Sequence, residues 1–429
     1  MTRPLLLMAA LLSTLPFGSW CDAAAPSGDG KGEPILYADG DWPWWRGPHR
    51  DGIAAANQTV PLVWNETENV LWKAPIPGRG HGSPTIVGDR VFIATADVKE
   101  GVQSVLAIDR NTGKQLWQTH VHRGTLDTKG NGKSSLASSS VACDGHRIYI
   151  NFLHSGAVYT TALTIDGKQL WQTKITDFVI HQGFGSSPAL YQSLVIVSAD
   201  NKGTGAIAAL DRATGKVVWK VERPAVPNYT SPIIFNVAGK EQLVLTGCDL
   251  VTSLEPATGK TLWEIKGSTT ECVTSTVTDG KRFFTSGGYP KNHMSAVSAD
   301  GSGKIEWENA SRVYVPSLIA RDGYLYGVLD AGVAVCWESS TGKEVWKQRL
   351  GGTFSASPVL VGDLLFAIDE AGKTSIFKAT PKAYESAGEN QLGDEAFATP
   401  TICGNRIYLR VATTKDGARQ ESLYCIGSK

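Results

Sequence analysis

Net charge is missing from this chain. Its 41 Lys and Arg balance 41 Asp and Glu, which removes the usual electrostatic basis for gripping nucleic acid or an anionic membrane surface. Long apolar runs are missing too. Beyond LLLMAALLSTL at residues 5–15, no stretch approaches the roughly 20 apolar residues that a spanning helix needs, so no transmembrane segment is expected. The cysteines form no CxxC or adjacent pair, and there is no HExxH, no GxSxG elbow before a helix and no phosphate loop. Chemistry that announces itself through a compact motif is therefore unsupported.

What is present is repetition. The phrase AIDRNTGKQLW ending at Trp117 returns as ALDRATGKVVW ending at Trp219, SLEPATGKTLW ending at Trp263 and CWESSTGKEVW ending at Trp346, with looser copies ending at Trp171 and Trp307. Anchors spaced by roughly 40 to 55 residues match the period of a four-stranded propeller blade. Each copy reads as strand, turn, strand, with Asp-x-x-Thr-Gly-Lys supplying the turn and Gly the positive φ it requires. Trp, the largest apolar group in the unit, belongs between blades.

A second hairpin precedes each phrase, beginning at Ser83, Ser140, Ser187, Ser231, Ser275, Ser317, Ser357 and Thr399. Eight hairpins predict an all-β, eight-bladed propeller of four-stranded antiparallel blades. The last unit has three strands, and NVLWKAPI around Trp72 has the form of the missing outer strand, so the ring is expected to close through the N-terminal side. The seventh unit lacks Trp, and Tyr384 is expected to serve as its weaker anchor. The expected organisation is a signal peptide over 1–25, a flexible segment and Trp-rich strap over 26–61, and the propeller over 62–429.

Arg3, the short apolar run, Pro16, Gly18 and the small residues Ala23 to Ala25 have the three regions of a secretory signal, so the mature protein is expected outside the cytoplasm. Trp20 before Cys21 does not suit lipoprotein processing. Of the remaining cysteines, Cys143, Cys336, Cys403 and Cys425 fall on strands and read as small core residues. Cys248 and Cys272 share one rim of neighbouring blades, where a disulfide could form.

DWPWWRGPHRDG at residues 41–52 has neither helical nor strand period and reads as an extended strap held by aromatic burial; its alternative use is an aromatic platform for a sugar or another planar ligand. Loops entering the first strands, with those joining second to third strands, form one rim and the default ligand face. Register directs Arg79, His81, His181, Tyr229, Glu271, Arg312 and Tyr314 towards that rim. The ends of the second strands add His154, Asp97, Asp200, Asp249 and Asp330. These carboxylates could bind calcium or orient a polar ligand, or could serve only the backbone of their own turns. The eight in-register hydroxyls are expected to bond local backbone where strands crowd the axis.

The AxDxxTGKxxW phrase resembles the quinoprotein-type, PQQ-like propeller repeat over about residues 71–427, and with the WRGP strap and PGRGHGSP opening is most similar to secreted planctomycete-type PQQ-like propellers. The family includes quinone-dependent dehydrogenases, which imply pyrroloquinoline quinone (PQQ) with calcium, and the cofactor-free BamB branch, which implies a scaffold holding partners on rim loops. This sequence lacks the adjacent cysteines and long inter-blade insertions of the enzymatic branch. The expectation is a monomeric, non-catalytic propeller with no cofactor, binding a protein or a small polar ligand on its rim. The alternatives are a PQQ-dependent oxidoreductase and a polysaccharide-binding propeller.

Overall fold

The computed structural model describes residues 32–428; the expected signal peptide lies outside them. All 32 elements of the described residues are β-strands, and they form eight separate four-stranded sheets. Seven sheets use four strands consecutive in sequence. The eighth joins Thr401–Cys403, Arg406–Lys415 and Ala418–Ile426 to Val70–Ile76, with Trp72 opposite Cys425 and Ala74 opposite Leu423. Blades are numbered here from the sheet that begins at Thr85 to the one that begins at Thr401. The antiparallel closing strand covers the edge that Ala418–Ile426 would otherwise expose.

The repeated phrase is a lock between blades. In the turn, one Asp109 carboxylate oxygen accepts the Asn111 and Thr112 amides and the Thr112 hydroxyl at 2.8 to 3.0 Å. The tightened turn presents its glycine to the Trp of the preceding blade. A Cβ on Gly113, Gly167, Gly215 or Gly259 would lie 2.5 to 2.7 Å from Trp72, Trp117, Trp171 or Trp219 respectively, and all four glycines have positive φ. The indole N–H then donates to a carbonyl of that same turn: Trp72 to Arg110, Trp117 to Ile165, Trp171 to Arg212 and Trp219 to Pro256, at 2.9 to 3.1 Å. Asp, Gly and Trp recur together because each is one part of this junction.

The expected anchor of blade 7 is differently placed. Tyr384 packs on Trp346 and Phe377 at ring-centroid distances of 6.0 and 5.4 Å, towards blade 6. Between blades 7 and 8 the aromatic filling comes from Trp64, which stacks on Phe366 at 6.4 Å. Trp64 is 2% exposed, and its amide donates to Asn390 Oδ1 at 2.8 Å. An outer strand reading SAGENQ offers no large apolar side chain, so the segment before the closing strand fills the space.

Both thiols of the suggested rim disulfide are free. Cys248 Sγ faces Asp200 at 3.6 Å, and Cys272 Sγ lies 3.1 Å from the Ser268 and Thr269 hydroxyls.

Candidate functional site: a blind axial cup

The site begins with the strap. Trp42 pairs with Ile86 of blade 1, the Pro43 carbonyl accepts the Cys143 amide of blade 2, and Arg50 donates to the Leu190 carbonyl of blade 3. Arg46 donates to the Leu318 carbonyl of blade 6 at 2.6 Å, and Ile53 pairs with Leu360 of blade 7. Residues 42–54 therefore cross the propeller where the first strands end, and they close one mouth of the channel. Trp42 and Trp44 are buried in this role, Trp44 beneath the Arg50 guanidinium at 4.5 Å. Trp45 alone of the three turns into the channel, where its indole N–H donates to Ser275 Oγ at 2.8 Å.

Above Trp45 lies a cavity of about 390 Å³, lined by the entrance loops of all eight blades. That size is within the range of small-molecule sites, roughly 300 to 1,000 Å³. Four of the in-register hydroxyl residues, Ser187, Ser231, Ser357 and Thr399, line its wall. The Ser140 amide donates to Ser187 Oγ, Ser187 to Ser231, Ser317 to Ser357 and Ser357 to Thr399, each at 2.9 Å. Six of the eight hydroxyls do bond backbone, but that of the adjacent blade, while Ser83 Oγ has no protein partner. At Ser275 the donor is the Trp45 indole instead.

Of the residues that register directs to the rim, His81, Tyr229 and Tyr314 line the cup. His81 stacks on Phe397 at 4.4 Å. Burial, reinforced by Arg79, Arg410 and Arg419, drives its pKa well below 6.5, so the ring is neutral, and its buried Nε2 has no protein partner. The Tyr229 hydroxyl also lacks an acceptor, and burial beside Glu271 raises its pKa. Burial and Glu271 push Tyr314 up to about 12. Glu271 is 4% exposed and meets His181 Nε2 at 3.1 Å. Arg79 pairs with Glu395 at 3.7 Å, and Arg312 covers the Tyr314 ring at 5.8 Å.

The second-strand residues do not converge. His154 stacks on His122 at 4.4 Å. Asp97 accepts the amides of Lys99 and Glu100 in its own turn. Asp200 is buried against Arg223 at 3.2 Å and Asn228 at 3.0 Å. Asp249 accepts the Thr270 hydroxyl, and Asp330 the amides of Tyr314 and Val315. Burial raises the Asp330 pKa. Among the described residues no group of three or more His, Cys, Asp or Glu is placed to hold a metal ion.

Sequence reasoning missed Trp45 as the floor, along with Lys133, Gln182, Phe184 and Phe397 in the wall. A usable signal was present: the residue two before the ring hydroxyl lines the cup in every blade, from His81 and Tyr229 to Val315 and Phe397.

Comparison with known proteins places this geometry in a lineage. The family model described as outer membrane protein assembly factor BamB matches residues 51–178, 101–332 and 311–380. The chain belongs to this family. As a BamB family member it is 27% identical over 383 residues to the outer membrane protein assembly factor BamB of Burkholderia pseudomallei, covering 83% of this chain and 90% of that protein. It is also 25% identical over 390 residues to a polyvinylalcohol dehydrogenase of Sphingopyxis sp.. There the match covers 81% of this chain and 52% of the relative, so the BamB family member spans about half of that enzyme. The crystal structure of BamB from Moraxella catarrhalis superposes with a TM-score of 0.59 at 15% identity, over 82% of this chain and 96% of that one. A europium-containing methanol dehydrogenase superposes with 0.67 at 12% identity, over 91% and 98%. At such identities these two structures establish the shared propeller fold.

Proposed function

We propose that this BamB family member is an extracytoplasmic, non-catalytic binding propeller, which holds a small polar ligand in its axial cup or a protein on the rim around it. One observation carries the reading: the strap makes the channel a blind cup whose wall consists of hydroxyls, amides and aromatic rings. A signal-like N-terminus supports the location, and no helix of the described residues is long and apolar enough to cross a membrane. The name of the Burkholderia relative, an assembly factor, supports a protein partner for the rim.

A PQQ-dependent oxidoreductase is the second reading, favoured by the polyvinylalcohol dehydrogenase relative and by a Trp on the axis. The cup's residues fit that cofactor poorly. PQQ is a tricarboxylate and needs cationic partners in a dry site. Among the described residues the lining offers one ammonium, Lys133, already 2.6 Å from Glu370, and a neutral His81. Titration of the purified protein with PQQ and calcium, followed by quinone absorbance and dye-linked alcohol oxidation, separates the readings. The binding reading predicts no turnover; a saturable absorbance change with turnover overturns it.

A further inference from the structure

The cup's own chemistry narrows the ligand. Resting on the binding reading above, we propose that it receives the terminal pyranose ring of an uncharged glycan, stacked on Trp45.

Charge points this way first. No carboxylate lines the cup among the described residues, and the one ammonium is paired with Glu370. A ligand of either sign would lose hydration without a matching partner; an uncharged one would not.

The hydroxyl wall points the same way. Ser187, Ser231, Ser357 and Thr399 accept an amide from the preceding blade. Each oxygen is thereby fixed while its proton stays free to donate. These hydroxyls belong to blades 3, 4, 7 and 8, so they face the axis from different sides. Neutral His81 and Tyr229 add a buried imidazole nitrogen without a protein partner and a buried phenol without an acceptor. A pyranose suits this arrangement because its hydroxyls radiate from the whole circumference of the ring while its C–H faces are apolar. Trp45, held at one edge by Ser275, supplies a flat surface for one such face.

The strap adds the last constraint. A channel open at both mouths could let a polymer pass; a sealed one accepts only an end.

The test is saturation-transfer NMR with isothermal titration on the full chain. The probes are methyl glycosides of glucose, galactose, mannose and N-acetylglucosamine, with glucuronate and PQQ as charged counterparts. At least one neutral glycoside should bind. Its affinity should fall at least tenfold in Trp45→Ala and severalfold in Tyr229→Phe, which removes only a hydroxyl without an acceptor and should keep the wild-type melting temperature. An oligosaccharide of that sugar should bind through one terminal residue, with saturation confined to it. Binding of PQQ or glucuronate in a Trp45-dependent manner, with no neutral glycoside bound, overturns the glycan inference and leaves the cup as a ligand site. Glycoside binding insensitive to both substitutions places the sugar elsewhere and overturns the inference. If no probe binds and Trp45→Ala alters only thermal stability, the small-ligand reading of the cup falls with it.

Discussion

Acid should weaken this propeller through a histidine that does not line the cup. His122 is 8% exposed, stacked on His154 at 4.4 Å and set edge-on to Phe152 at 6.0 Å. Burial first, and the neighbouring His154 second, lower its pKa to about 4. In the unfolded chain the imidazole returns to about 6.5. Above that pH both states are neutral and the residue contributes nothing to the pH dependence. As pH falls from about 6.5 towards 4, the unfolded chain takes up a proton that the folded protein refuses, and stability is lost at up to about 1.4 kcal/mol per pH unit. Between pH 7 and pH 5 the loss from this residue comes to about 2 kcal/mol. Urea denaturation at both pH values, on the wild type and on His122→Phe, isolates it. Phe preserves an aromatic ring beside His154 and cannot titrate, so any constant packing cost cancels in the comparison. The variant should lose about 2 kcal/mol less than the wild type over this interval. Equal losses in the two proteins would refute the assignment.

Trp72→Ala should destabilise the ring by about 3 to 5 kcal/mol, because it empties a buried site in the closing strand and removes the indole donor from the Arg110 carbonyl, which keeps only the Arg406 guanidinium; the urea midpoint reads it. Gly215→Ala should cost more than about 1 kcal/mol, since the added methyl meets the Trp171 ring at 2.5 Å and φ is +71°; the same substitution at exposed Gly239, with open space around its Cβ position, separates the steric part from the backbone part. Glu421→Gln leaves buried Arg410, 2.6 Å from that carboxylate, without its counter-charge. A loss of about 3 kcal/mol or more is expected in thermal or urea melts. The six buried thiols should resist alkylation in the folded protein and all react after unfolding, because burial raises each pKa, to about 12 at Cys143 and Cys403; mass spectrometry would expose any one that reacts early.

Legibility in the sequence followed periodicity. The Trp phrase, the hairpins and the unmatched strand at Trp72 all repeat or complete a repeat, so blade number and ring closure could be read directly. His81 and Tyr229 were found because they keep step with the ring hydroxyls. Trp45 and Trp64 were not assigned their places because their segments have no period to extrapolate. Where each indole comes to rest depends on side chains hundreds of residues away, Ser275 for one and Phe366 for the other. The acidic residues at second-strand ends share a register that left two readings open, a shared ligand or service to their own turns, and Asp97 does the second, accepting the amides of Lys99 and Glu100.

The strap has a consequence for how the protein is made. It is synthesised before any blade, but its partners extend to Leu360, and the closing strand must wait for residues 418–426. During elongation several tryptophans near the N-terminus have nowhere to dock, and blade 1 has no neighbour on one side. Such a chain cannot finish folding blade by blade as it emerges. Its final steps are long-range and wait for residues 418–426, so a product cut short before Ala418 would be an open, aggregation-prone arc, not a smaller ring.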